Sequence, residues 1–157
     1  MKAIIIMGSK SDLEFAKKIA KKLEDFGVKY DMRVASAHKT PERVLEIIRS
    51  HDDVVFITIA GRSNALSGFV DANTSCPVIA CPPYSDKFAG VDIFSSLRMP
   101  SGVAPMVVLE PENCALAVAK IIALRDESVR RKVEEYQRKK KEEVIRADEE
   151  IRHGSGD

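Results

Sequence analysis

Two short segments of this sequence are apolar at almost every position. Residues 3–7 read Ala-Ile-Ile-Ile-Met, and residues 54–60 read Val-Val-Phe-Ile-Thr-Ile-Ala. A strand with this pattern has no face to present to water, so other elements must cover it on both sides. These two segments therefore predict the central strands of a parallel sheet with helices on both faces.

Three weaker strand patterns accompany the central pair. Residues 29–35 alternate less cleanly, as is typical near a sheet edge, and short strands introduced by proline are expected at residues 77–81 and 105–109. Helical patterns lie between the strands, at residues 12–26, 41–50, 65–73 and 111–124, with a shorter one at 92–97. The first has apolar residues at a helical period and is followed by Gly27, a typical left-handed cap. This alternation predicts repeated βαβ units in a single α/β domain over residues 1–125.

The remaining residues, 126–157, predict a helical arm that ends in a frayed tail from His153 onward. The arm is mostly charged, but apolar residues keep a spacing of three and four along it. They are Val129, Val133, Tyr136, Val144, Ala147 and Ile151. One interpretation is a helix solvated on all sides. The other, which the stripe favours, is a helix packed against something else, such as a second subunit.

Composition restricts the partners and the compartment. The chain has 25 Lys and Arg against 24 Asp and Glu, so it carries no bulk charge that would attract nucleic acid or an anionic membrane surface. Its three cysteines show no metal-binding spacing, which favours a reducing, cytoplasmic compartment. No stretch approaches the 18 apolar residues of a membrane span, so we expect a protein that is neither exported nor inserted.

Five parallel strands covered by helices most often form a three-layer, flavodoxin-like sheet with strand order 2-1-3-4-5. In such sheets ligands bind beyond the carboxyl ends of the strands, where the strand order reverses between strands 1 and 3. Three loops should therefore converge on one site. They are residues 8–12, 36–40 and 61–68.

The first loop reads Gly-Ser-Lys-Ser-Asp from Gly8 to Asp12. Gly8 lets the backbone approach a ligand closely, and the hydroxyls of Ser9 and Ser11 stand beside the free N–H groups of a helix start, where an anion is favoured. The alternative is structural, because Ser11 and the following residues also form a capping box in which Ser11 is only an N-cap.

The second loop reads Ser-Ala-His-Lys-Thr-Pro over residues 36–41. Thr40 as N-cap and Pro41 at the first helical position have structural explanations. His38 and Lys39 have none. A lone histidine is more often a structural residue than a catalyst, but the place of His38 above the switch point of such a sheet favours a functional role. We interpret His51 as a helix cap and His153 as part of the tail.

The third loop places Gly61, Arg62, Ser63 and Asn64 directly after a buried strand. A cation, a hydroxyl and an amide beside a helix start suit recognition of a carboxylate or a phosphate. Alternatively, Ser63 or Asn64 only caps the next helix. Two further loops that contain proline, at residues 81–84 and 95–102, could form walls of the same cleft. Cys81 has no candidate base beside it in the sequence, so we interpret it as a small buried residue.

Four motifs in this order resemble the aminoimidazole ribonucleotide carboxylases of purine biosynthesis (the PurE family). They are Gly-Ser-x-Ser-Asp at residues 8–12, Ser-Ala-His-Lys-Thr-Pro at 36–41, Ala-Gly-Arg-Ser-Asn at 60–64 and Ser-Leu-Arg-Met-Pro-Ser-Gly at 96–102. The resemblance covers about residues 2–124. It implies a lyase that forms 4-carboxy-5-aminoimidazole ribonucleotide.

The family has a mutase class, which moves a carboxyl group from the exocyclic nitrogen of a carbamate to the ring, and a class that adds carbon dioxide directly. The mutase second loop typically ends His-Arg-Thr, and its third loop contains a histidine. Here Lys39 replaces that arginine, and residues 61–68 contain no histidine. The resemblance therefore favours the carbon-dioxide-using carboxylase, with the mutase as the alternative.

The resemblance also implies roles for individual residues. The 5′-phosphate would bind Ser9, Ser11, Ser36 and Lys39, Asp12 would bind the ribose hydroxyls, and His38 would transfer the proton. The third loop would surround the aminoimidazole and the incoming carboxyl. The complete expected substrate-binding set is Gly8, Ser9, Ser11, Asp12, Ser36, Ala37, Lys39, Gly61, Arg62, Ser63 and Asn64. The roles of Arg62 beyond binding, of Cys81 and of Arg98 stay open.

The chemistry requires no cofactor and no metal, because aminoimidazole is an electron-rich enamine whose ring carbon can attack carbon dioxide. The expected partners are aminoimidazole ribonucleotide, carbon dioxide and further copies of the chain, as a homotetramer or homo-octamer. A flavodoxin-like protein that binds flavin mononucleotide is a more distant alternative. A phospho-receiver module would need an acidic cluster after strand 1 and a phosphoacceptor aspartate after strand 3, and the loop that begins at residue 61 offers no such aspartate.

Overall fold

The computed structural model describes residues 1–154. In this part of the chain five strands form one sheet in the order β2-β1-β3-β4-β5, and all four pairings are parallel. The strands are β1 (Lys2–Met7), β2 (Tyr30–Val34), β3 (Val54–Ile59), β4 (Val78–Ala80) and β5 (Met106–Val107). The expected strand order and the central position of β1 and β3 are confirmed.

Within residues 1–154, six α-helices connect and cover the strands. They are α1 (Leu13–Asp25), α2 (Pro41–Arg49), α3 (Ala65–Asp71), α4 (Phe94–Leu97), α5 (Pro111–Ile122) and α6 (Glu127–Gly154). Two of the predicted helices begin with a tighter 3-10 turn, at Lys10–Asp12 before α1 and at Val91–Ile93 before α4. None of the helices in the described part of the chain is long and apolar enough to cross a membrane.

The central strands divide their side chains between two cores. Ala3, Ile5 and Met7 face a core that contains α1, α5 and the beginning of α6, whereas Ile4 and Ile6 face a core formed with α2 and α3. All five of these residues are at most 2% exposed. This alternation between two buried faces produces the three-layer architecture that the apolar runs predicted.

The beginning of α6 belongs to the domain that precedes it. Val129 and Val133 are buried in the same core as α1 and α5, and Tyr136 packs against it. Asp126 caps the helix, since its Oδ1 accepts hydrogen bonds from the N–H groups of Ser128 at 2.9 Å and Val129 at 3.1 Å. The first interpretation, a helix solvated on all sides, is therefore wrong for this part of the arm.

The rest of the arm is different, because Val144, Ile145 and Ile151 are 71%, 58% and 70% exposed. The tail expected to fray from His153 onward is still helical at His153 and Gly154. Residues 155–157 of that tail lie outside the described residues.

Candidate active site

The three predicted loops start side by side. Met7, the last residue of β1, is paired with Val34 of β2 and with Ile59 of β3. The N–H of Gly8 continues this pattern by donating to the carbonyl of Ile59 at 2.9 Å. The loops that follow these strands therefore surround one cleft at the carboxyl edge of the sheet, as parallel doubly wound sheets require.

The cleft has a volume of about 550 Å³. Its walls include eleven of the twelve residues that the sequence singled out. They are Gly8, Ser9, Ser11, Asp12, Ser36, Ala37, His38, Lys39, Gly61, Arg62 and Ser63. Asn64 is the residue that the structure does not bring to the cleft.

The first loop is held by its own side chains. Ser9 is the N-cap, because its Oγ accepts from the N–H of Ser11 at 3.2 Å, while Asp12 Oδ2 accepts from the N–H of Ser9 at 3.2 Å. The Ser11 hydroxyl also donates to Ser9 Oγ at 3.0 Å. The capping alternative considered from the sequence was therefore wrong about the residue, since Ser9 and not Ser11 begins the capping box. The bonds leave both hydroxyls at the cleft wall in one fixed arrangement.

Asp12 is partly withdrawn from water. Burial raises the pKa of its carboxyl group above the ordinary value, and the hydrogen bond from the Ser9 backbone partly offsets this effect. A partly desolvated carboxylate gains more from new hydrogen-bond donors than a fully solvated one does. Sugar hydroxyls are donors of this kind.

The second loop is a closed turn. The N–H of Ser36 donates to Thr40 Oγ1 at 2.9 Å, and the N–H of Thr40 donates back to the carbonyl of Ser36 at 2.9 Å. Thr40 precedes α2 as expected, but its hydroxyl bonds back to Ser36 and makes no cap hydrogen bond to the helix. The loop is thus fixed at both ends, with His38 and Lys39 at its tip.

His38 and Lys39 are exposed, and within residues 1–154 neither the imidazole of His38 nor the ammonium of Lys39 makes a hydrogen bond or an ion pair. His51 is different, because its Nδ1 lies 2.8 Å from the carbonyl of Ile47 at the end of α2. The structure thus distinguishes a structural histidine from one whose ring nitrogens are available to a ligand.

The third loop has an unusual backbone. Arg62 has a φ angle of 62°, in the left-handed region, which costs a residue with a side chain about 1 to 2 kcal/mol. Its N–H donates to Asp92 Oδ2 at 3.0 Å, and its carbonyl accepts from Ser95 Oγ at 3.1 Å. Ser95 Oγ also accepts from the N–H of Asn64 at 2.9 Å. Residues some 30 positions later therefore hold the loop.

Asn64 has a structural role. It is 3% exposed, and its Oδ1 accepts from the N–H of Ser67 at 3.2 Å, so it caps α3. Its Nδ2 donates to Ser96 Oγ at 2.9 Å. The capping alternative for this residue is therefore the one found, and the amide is not free to meet a ligand in the cleft.

Sequence reasoning missed most of the outer wall. Pro83, Tyr84, Ser85, Lys87 and Asp92 also line the cleft. The prolines after β4 indicated that this loop could contribute a wall, but no local pattern marks Lys87 or Asp92.

The fourth motif supports the third loop from behind. A Cβ placed on Gly68 of α3 would lie 3.0 Å from the sulfur of Met99, so this helix and the motif are in close contact. Arg98 is exposed and does not line the cleft.

The cysteines behave as expected for buried thiols. Cys81 is 0% exposed, and its Sγ donates to the carbonyl of Leu109 at 3.6 Å. A hydrogen bond with Cys81 and burial raise the pKa of Cys114 far above its ordinary value, which keeps that thiol neutral. In the described residues, no three His, Cys, Asp or Glu side chains converge as metal ligands would.

Comparison with known proteins assigns the chain to a family. Residues 2–143 match the family described as AIR carboxylase. A phosphoribosylaminoimidazole carboxylase of Archaeoglobus fulgidus is 72% identical over 97% of this chain and 86% of its own length. An N5-carboxyaminoimidazole ribonucleotide mutase of Methanocaldococcus jannaschii is 44% identical over 94% of this chain and 96% of its own length.

A solved structure agrees with this match. The crystal structure of Treponema denticola PurE superimposes with a TM-score of 0.92 at 48% identity, and covers 95% of this chain and 97% of the other. With three of the four motifs lining one cleft and the fourth packed against α3, these similarities show that the chain is an enzyme of the AIR carboxylase (PurE) family of purine biosynthesis.

Proposed function

We propose that the protein joins carbon dioxide to the ring of 5-aminoimidazole ribonucleotide and so forms 4-carboxy-5-aminoimidazole ribonucleotide. The observation that carries the proposal is the composition of the two loops facing each other across the cleft. One offers His38 and Lys39, whose side chains have no partner within residues 1–154, and the other offers Arg62 and contains no histidine, whereas the third loop of the mutase class contains one.

The substrate phosphate is proposed to bind the hydroxyls of Ser9, Ser11 and Ser36 together with the ammonium of Lys39. Hydroxyls fixed beside a helix start, with a lysine ammonium that has no ion pair within residues 1–154, match the charge and the acceptor geometry of a phosphate monoester. The partly buried carboxylate of Asp12 then accepts the ribose hydroxyls. Gly8 has no side chain and Ala37 has only a methyl group, so neither obstructs the ligand between these groups.

The reaction forms one carbon–carbon bond. Electron density from the exocyclic amine makes the neighbouring ring carbon nucleophilic, and this carbon attacks carbon dioxide to give a carboxylate. The attacked carbon then loses its proton to the imidazole of His38, which restores the aromatic ring and releases the proton to solvent. An imidazole suits this step because it accepts and returns a proton near neutral pH.

The third loop is proposed to hold the reacting end of the substrate. Negative charge develops on the new carboxylate, and a guanidinium with no ion pair among the described residues can stabilise it. Gly61, Arg62 and Ser63 also line the cleft opposite the second loop.

The mutase activity is the competing proposal, since one relative carries that name. An assay that offers each of the two substrates separately distinguishes the carboxylase from the mutase activity. Aminoimidazole ribonucleotide with bicarbonate should be converted, whereas the carbamate isomer in buffer depleted of carbon dioxide should react poorly. Efficient conversion of the carbamate under depletion would establish the mutase instead. A yellow purified protein would favour the flavin-binding alternative.

We further propose that the enzyme works in the cytoplasm as a homotetramer or homo-octamer. Phe88, Val91, Phe94 and Leu97 are 48%, 59%, 63% and 53% exposed on one segment. Phe88 and Val91 border Arg62 and Ser63 at the edge of the cleft. A neighbouring subunit on this apolar surface would bury it and exclude water from the cleft.

A further inference from the structure

We infer that Asp92 is a positioning residue that holds Arg62 in its left-handed conformation and so aims the third loop at the reacting end of the substrate. The inference deepens the proposed function and rests on it for the reaction involved. Asp92 lies outside the loops from which sequence reasoning drew the site residues, and it is brought to them only by the fold.

The left-handed backbone of Arg62 calls for such a support. Glycine adopts this conformation freely, whereas arginine does so only when the surroundings compensate. Here both backbone polar groups of Arg62 are engaged, the N–H by Asp92 Oδ2 at 3.0 Å and the carbonyl by Ser95 Oγ at 3.1 Å. Backbone strain of this kind is typical of functional sites, which is consistent with a role for the Arg62 side chain in the cleft that it lines.

The segment that contains Asp92 is itself held in place by further hydrogen bonds. Ser95 Oγ lies 2.7 Å from the carbonyl of Asp92, so its single proton is shared between this carbonyl and the carbonyl of Arg62 at 3.1 Å. Asn64, at the other end of the loop, is tied to Ser96 through its amide. Asp92, Ser95 and Ser96 therefore all attach this segment to the loop, and Asp92 is the one of the three that uses a carboxylate.

The role is one of positioning because the contact is to backbone. Asp92 Oδ2 accepts the N–H of Arg62 and lies 3.6 Å from the place of a Cβ on Gly61, so this oxygen faces the loop. Hydrogen bonds that accept with a charged oxygen are stronger than neutral ones. Loss of this bond frees Arg62 to relax toward ordinary backbone angles, which would turn its guanidinium and its neighbours away from the carboxyl position.

The test compares Asp92→Ala with Asp92→Asn. Asparagine keeps an oxygen that can accept the Arg62 N–H, so Asp92→Asn should retain most of the turnover number. We expect Asp92→Ala to lower kcat by about 10- to 100-fold, the cost of a misplaced catalytic group, with little change in the KM for the ribonucleotide. Asp86→Ala is a matched control, because Asp86 lies on the same segment but does not line the cleft.

A second readout does not depend on catalysis. Hydrogen–deuterium exchange of peptides covering residues 60–66 should accelerate in Asp92→Ala but not in Asp92→Asn or Asp86→Ala. In an Arg62→Gly background, where the left-handed conformation carries no strain, the additional effect of Asp92→Ala on kcat should shrink.

Equal loss of activity in Asp92→Asn and Asp92→Ala would overturn the inference and indicate direct contact of the carboxylate with substrate. Unchanged exchange in Asp92→Ala would also overturn it. If the unmodified protein showed no carboxylation at all, the proposed function would fail, and the exchange comparison would still decide whether Asp92 holds the loop.

Discussion

The rings of Phe26, just after α1, and Tyr136, within α6, meet edge to face with their centroids 5.3 Å apart. Lys22 Nζ lies 4.4 Å from the centroid of the Tyr136 ring and adds a cation–π contact. Together with the buried Val129 and Val133, this pair joins the arm to the catalytic domain. The arm therefore has a part that completes the core and a part that extends beyond it.

Two truncations separate these parts. A chain ending at Leu124 loses both buried valines, each worth about 1.5 to 3 kcal/mol of apolar burial, so its Tm should fall strongly. A chain ending at Lys140 keeps Val129, Val133 and Tyr136 and should unfold at nearly the same temperature as the full chain when both are monomeric.

The same variants test the proposed assembly. If the exposed distal part of α6 holds subunits together, the chain ending at Lys140 should show a smaller mass by light scattering, with reduced activity. An unchanged mass and unchanged activity would reduce the distal arm to a solvated extension.

The His38→Asn variant tests the proposed proton acceptor. It should lower kcat by about 10² to 10⁴, the usual contribution of general acid–base catalysis, and leave ribonucleotide binding nearly intact. His51→Asn is the control, since that ring is bonded to the carbonyl of Ile47 away from the cleft. Turnover within a small factor of the unmodified enzyme in His38→Asn would remove this residue from the mechanism.

The Lys39→Ala variant should act on binding instead. Loss of a charge-assisted contact to phosphate costs about 1.5 to 3 kcal/mol and should raise the Kd of the ribonucleotide by about 10- to 150-fold. Lys10→Ala, which removes a lysine beside the cleft but not lining it, should have little effect. Calorimetric titration measures the Kd of the ribonucleotide for both variants. A collapse of kcat with an unchanged Kd in Lys39→Ala would show that the residue acts in the chemical step.

The Asp12→Asn variant should bind the ribonucleotide more weakly but have a larger free energy of unfolding. Burial raises the pKa of Asp12 above the ordinary 3.8, so the folded protein is destabilised once this group ionises. Asparagine avoids that cost and can still accept the hydrogen bond from the Ser9 N–H. The free energy of unfolding should therefore rise at neutral pH, and the gain should shrink as the pH falls toward 3.8, while the ribonucleotide KM increases. Denaturant titrations at several pH values measure the difference in free energy of unfolding between the variant and the unmodified protein. A difference that does not depend on pH would contradict the claim that burial of the ionised Asp12 destabilises the folded protein.

The sequence predicted the sheet because burial on both faces is visible in residues 3–7 and 54–60 themselves. It also predicted the three loops, because their position follows from strand order alone. It did not identify Asp92, which reaches Arg62 only through a contact between residues 30 apart in the sequence. For Asn64 the residues left a substrate contact and a helix cap both open, because a polar residue after a strand has the same pattern in either role. The resemblance implied the substrate contact, whereas the structure shows the cap.

The unbroken pairing of β1 with β3 has a consequence for selectivity. The ladder runs to Met7 and Ile59 and continues in the hydrogen bond from Gly8, so the first and third loops leave the sheet at the fixed spacing of about 4.8 Å between neighbouring strands. The floor of the cleft cannot widen without breaking that ladder. We therefore expect the fixed distance between these two loops to limit the size of ligand that the floor of the cleft accepts. A larger or smaller substrate would have to be accommodated by the outer wall at residues 83–92.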